Sequence, residues 1–74
     1  MAGVEKIIEK MKNRPNGIRF SEVSKVLEYN GYIMVRVVGS HHHFRNKYGD
    51  LITVPKHNPI KAVYVKDVLQ RIGR

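Results

Sequence analysis

The hexapeptide Gly39-Ser40-His41-His42-His43-Phe44 carries three of the chain's four histidines, with Arg36 just before it and the fourth histidine, His57, downstream. Imidazole ordinarily gains and loses its proton near neutral pH, so clustered rings suit proton transfer or metal ligation. Metal ligation needs three or four converging donors. On a strand His41 and His43 share one face while His42 points to the other, the nearby carboxylate supply is Asp50, and the chain has no cysteine. The pattern therefore predicts no metal site and no cofactor. The remaining alternative to proton transfer is structural service, with His41 and His43 facing solvent and His42 partly buried.

The elements around the hexapeptide decide how it is presented. From Tyr32 the apolar period is two, and Ile33, Val35 and Val37 are predicted to face inward. Gly39-Ser40 fits a type II′ hairpin turn, in which the first central residue needs a positive φ. That turn sets Val38 opposite His41, Val37 opposite His42, Arg36 opposite His43 and Val35 opposite Phe44. Phe44 and Val35 then enter the core, while Arg36, His41 and His43 emerge on the other face. A hairpin loop at Lys47-Tyr48-Gly49 leads to a third strand, Leu51-Ile52-Thr53-Val54, with Ile52 and Val54 inward, Thr53 beside His43, and Pro55 ending the pairing.

Helical spacing flanks this sheet. Val4, Ile7, Ile8 and Met11 form one stripe that stops at the turn-rich run Asn13-Arg14-Pro15-Asn16-Gly17. A second helix is expected from an N-cap at Ser21, burying Val23, Val26 and Leu27 and ending at Gly31. Val65, Val68, Leu69 and Ile72 predict a closing helix over about 64–72. The expected fold is α+β: an α-β-β-β-α unit with a three-stranded antiparallel sheet, as in double-stranded-RNA-binding domains, plus an extra N-terminal helix. Residues 1–17 form that helix and a linker, and residues 18–74 form the main unit. The N-terminal stripe could complete the core, pair with a second copy in a homo-oligomer, or meet another partner.

At 74 residues without cysteine, the chain must fold on packing alone and place its site on an open surface. No membrane span or signal pattern is present, so a cytoplasmic protein with no membrane partner is expected. Fourteen Lys and Arg against six Asp and Glu leave a net charge of +8, which favours phosphate-rich or acidic partners. Residues 32–74 hold eight of the basic residues and two acids, Asp50 and Asp67, so the positive charge gathers on the histidine-bearing half. Arg45, Lys47, Lys56, Lys61 and Lys66 are candidates for phosphate contacts, with Tyr48 at a loop tip as a base-stacking candidate.

Gly39-Ser40-His41 resembles the Gly-Ser-His signature of the HicA-type toxin family, small messenger-RNA-cleaving ribonucleases of toxin–antitoxin modules. The resemblance extends over Ser21 to Gly31-Tyr32, Val35-Arg36, Thr53-Val54-Pro55 with His57, and Val63-Tyr64-Val65-Lys66 through Leu69, covering about residues 18–73. It implies a toxin endoribonuclease whose catalytic histidine is His41, presented by Gly39 and Ser40. It also implies RNA as substrate and a HicB-type antitoxin as inhibitory partner. The chemistry is consistent: a base that removes the 2′-hydroxyl proton lets that oxygen attack the adjacent phosphorus. Arg36 is the candidate for stabilising phosphoryl charge, and His43 or His57 for protonating the leaving oxygen. A non-catalytic RNA-binding domain and a module that binds only an acidic protein are the competing readings.

Overall fold

The computed structural model describes residues 2–73. Helix α1 (Ala2–Asn13) is followed by a short 3₁₀ turn (Pro15–Gly17), helix α2 (Phe20–Tyr29), strands β1 (Ile33–Val38), β2 (His41–Arg45) and β3 (Leu51–Pro55), and helix α3 (Ala62–Arg71). The strands form an antiparallel sheet in the order β1-β2-β3. This is the α-β-β-β-α unit with an added N-terminal helix. No helix of the described residues is long and apolar enough to cross a membrane.

Helix α1 completes the core. Val4, Ile8 and Met11 are buried together with Val23, Val26 and Leu27 of α2 and Val65 and Val68 of α3. Ile7, the fourth member of the stripe, packs at the edge of this cluster. A Lys10–Glu22 ion pair of 3.0 Å fastens α1 to the first turn of α2. Burial pushes the Glu22 carboxyl up, but the Arg19 amide and the Lys10 ammonium more than offset it and hold the group below its usual range.

Two expectations about α2 and α3 shift. Arg19, not Ser21, is the N-cap of α2, and its amide donates to Glu22 Oε1 at 2.9 Å. The reciprocal partner three residues on is thus Glu22, and Ser21 lies inside the first turn. Helix α3 starts two residues earlier than the apolar spacing indicates, at Ala62, after an extended Lys61.

The sheet differs more. All six residues of β1 are exposed, including Val35 (46%) and Val37 (51%), so the inward-facing set expected from the alternation is absent. The cause is coverage: of the two edge strands only β3 is covered, and the apolar cluster meets the sheet through Phe44 of β2 and Ile52 and Val54 of β3 without reaching β1. Period-two alternation reports a pleat, and burial follows only where another layer covers it. A β-bulge between Met34 and Arg36 also changes the register, so that Met34, not Val35, opposes Phe44. Beyond the bulge the three pairs Arg36–His43, Val37–His42 and Val38–His41 are those the Gly39-Ser40 turn dictates.

Candidate active site

Gly39 adopts φ 59°, the conformation that lets a two-residue turn join β1 to β2. The turn makes His41 the first residue of β2, and the pleat then separates the three rings. His42 faces the helices. Its Nδ1–H donates to the Ser40 carbonyl oxygen at 3.0 Å, and its ring lies 4.7 Å from that of Phe20 at an interplanar angle of 59°. Both the tautomer and the orientation of His42 are therefore set by neighbours.

His41 and His43 occupy the opposite, uncovered face. Residues two apart on a strand are separated by about 6–7 Å along its axis. His43 pairs with Arg36 on one side and Thr53 on the other, and its Nδ1 lies 2.7 Å from Thr53 Oγ1. That bond fixes the ring and leaves Nε2 as its other proton-carrying position. His43 and Arg36 together line a shallow cavity of about 180 Å³ with Val35, Arg45 and Leu51. His41 is exposed, and its ring has no hydrogen bond, ion pair or ring contact among the described residues. One ring is thus buttressed and its neighbour is free to meet a ligand.

The remaining candidates divide by position along the sheet. Lys56 adjoins the His41 turn, because its amide donates to the Ser40 carbonyl at 2.7 Å. His57 follows it, exposed, in the loop leading to α3. Lys61 ends that loop, next to Ile60, whose amide donates to Ile18 O at 2.7 Å. Arg45 ends β2, four residues or roughly 13 Å from His41 at the rise of a strand, and Lys47 lies beyond it in the β2–β3 loop. Lys66 sits on α3 beside Val63, Tyr64, Asp67 and Gln70. Tyr48 is 82% exposed at the tip of the β2–β3 loop, with Lys47 Nζ 5.2 Å from its ring centre, so it presents an open face rather than packing into the turn.

Both acids of residues 32–74 are engaged at that far end. Arg71 binds Asp50 at 2.9 Å and Asp67 at 3.1 Å, and the Tyr32 hydroxyl donates to Asp50. The Tyr32 bond and Arg71 outweigh partial burial and hold the Asp50 carboxyl below its usual range. Burial, reinforced by the neighbouring carboxylate, pushes the Tyr32 phenol up to about 12. Neither acid therefore offsets the positive charge around the His41 turn. Sequence reasoning missed Phe20 as the support for His42, and its proximity arises only when α2 and β2 are packed together. Among the described residues no three His, Asp or Glu side chains gather where they could hold a metal ion.

A family model described as the HicA toxin of bacterial toxin–antitoxin matches residues 20–73. The chain belongs to the HicA toxin family. The match begins at the first residue of α2 and takes in the sheet, the His41 turn and α3, leaving α1 outside it. No curated protein and no solved structure matches the chain. Membership makes it the toxin of a toxin–antitoxin module, with an antitoxin as partner.

Proposed function

We propose that this HicA toxin is an endoribonuclease that cleaves messenger RNA without a metal ion, with His41 as general base. Two imidazoles, about one strand repeat apart on an open basic face, support this reading most directly. They are spaced to flank a phosphodiester. The free His41 ring takes the 2′-hydroxyl proton, and the 2′-oxygen forms a bond to phosphorus. The bond from phosphorus to the 5′-oxygen then breaks, and that oxygen receives a proton from His43. The products are a 2′,3′-cyclic phosphate and a 5′-hydroxyl.

His43 is preferred over His57 as the acid because Thr53 orients its ring on the same face as His41. Arg36, the cross-strand neighbour of His43, is placed to stabilise charge on the phosphoryl oxygens. Gly39 and Ser40 hold the base in place.

Inhibition by an acidic, HicB-type antitoxin fits the same surface. Ile33, Met34, Val35, Val37 and Val38 present apolar side chains 46–65% exposed along β1, beside Arg36 and the open histidine face. A run of this kind on a small domain marks a protein interface, and its basic border selects an acidic partner over a second +8 copy. Cytoplasmic action on RNA follows from the proposed substrate. Induction of His41→Ala in cells tests the assignment: growth arrest should disappear while the protein still binds RNA. Undiminished arrest would remove His41 from the mechanism.

A further inference from the structure

Helix α2 and the loop after β3 border an open cavity of about 590 Å³. Its cationic lining comes from three places in the chain: Arg19 before α2, Lys25 within it, and Lys56 after β3. The floor is Phe20, whose ring carries Lys56 Nζ at 5.8 Å on one side and packs against His42 on another. One wall is tied down by Asn58, whose Oδ1 accepts the Phe20 amide at 2.9 Å. The other wall carries Ser21 and Ser24, and neither hydroxyl caps the helix, because the cap is formed at Arg19 by Glu22.

We propose that this groove holds the backbone of the RNA strand next to the cleaved bond, with Arg19, Lys25 and Lys56 neutralising one or two flanking phosphates. The inference rests on the ribonuclease reading and gives the substrate a path. The groove lies on the helix face and His41 on the open one, and the two meet at the end of the sheet, where the Lys56 amide is bonded to Ser40, the residue before His41, so the strand turns round that end. Ser21 to Lys25 spans about 6 Å of helix, the length of roughly two nucleotides of a stacked strand. Glu28 closes the far end by repelling phosphate, so the path is short. Phe20 is 8% exposed and cannot take a base on its face, so the groove contacts the backbone and reads little sequence. The three cationic side chains favour phosphate over a protein segment, which the apolar β1 strand suits better.

The test uses full-length His41→Ala protein, which leaves RNA intact, and a labelled single-stranded RNA of 12 nucleotides. Adding Arg19→Gln and Lys25→Gln removes two contacts from exposed side chains. Each phosphate contact on a single strand contributes about 0.7 to the slope of log affinity against log salt, so the slope should fall by about 1.4. At 0.1 M salt that corresponds to a loss on the order of twentyfold. A control with Lys6→Gln and Lys12→Gln on exposed α1 positions removes the same charge and should change affinity less than about threefold. Equal losses in the two double variants, or no loss in either, overturn the groove while leaving RNA cleavage in place. A loss of antitoxin affinity with RNA affinity intact overturns it in favour of a protein contact. If His41→Ala binds no RNA and the wild type cleaves none, the ribonuclease reading itself fails.

Discussion

Substitution of His42 separates the structural ring from the one proposed to act as base. His42→Ala deletes a tilted ring contact with Phe20 at 4.7 Å, worth about 0.5–1.5 kcal/mol. It also deletes the Nδ1–H bond to Ser40 O, worth about 0.5–1.5 kcal/mol. The Ser40 oxygen keeps the Lys56 amide at 2.7 Å, so no further penalty for an unpaired carbonyl arises. Destabilisation of about 1–3 kcal/mol should lower Tm by roughly 5–20 °C in a domain of this size. His41→Ala removes a ring with no partner among the described residues and should leave Tm within about 2 °C of wild type. His42→Phe retains the ring contact and should recover about half the loss. Circular-dichroism melts measure all three, and RNA cleavage is assayed well below the lowest Tm. The reasoning is refuted if His42→Ala melts like wild type, or if it abolishes cleavage while fully folded.

Three other outcomes follow from the same geometry. Tyr32→Phe should cost about 1 kcal/mol at pH 7. In wild type the folded phenol keeps its proton up to about 12 while the unfolded one releases it near 10.0. Stability should therefore fall between those values, and the variant should lack that fall; urea midpoints from pH 8 to 11.5 report the difference. Met11→Ala, which opens a void where α1 meets the core, should cost about 2–5 kcal/mol in denaturant melts, whereas an α1 merely resting on the surface would cost little. Val35→Lys with Val37→Lys should leave Tm nearly unchanged and weaken antitoxin binding by about tenfold or more in titration calorimetry; unchanged affinity would move the interface away from β1.

The Gly39-Ser40 turn made the site legible. A two-residue hairpin fixes register from its own end, so the pairings of Arg36, Val37 and Val38 with the three histidines follow from the turn alone. Four residues out, the bulge at Val35 shifts the register, and alternation gives no sign of it. Burial of Val23, Val26 and Leu27 was readable because a surface helix has one covered stripe, here packed on α1 and α3. Burial of Val35 and Val37 was not, because whether an edge strand is covered depends on how far the helices extend across the sheet. The Lys10–Glu22 pair and the contact of Phe20 with His42 join residues whose approach only tertiary packing creates. The excess of positive charge over residues 32–74 was visible, but the placing of their two acids away from the His41 turn was not. It depends on Arg71 engaging Asp50 and Asp67 at the other end.

The central claim is metal-independent cleavage with His41 as base. Purified wild-type and His41→Ala protein should be incubated with a defined transcript in chelator, and the fragment ends analysed. The account predicts wild-type fragments ending in a 2′,3′-cyclic phosphate and beginning with a 5′-hydroxyl, and at least about a hundredfold slower cleavage by His41→Ala. Fragments bearing 5′-phosphates, cleavage that stops in chelator, or equal rates from the two proteins would contradict it.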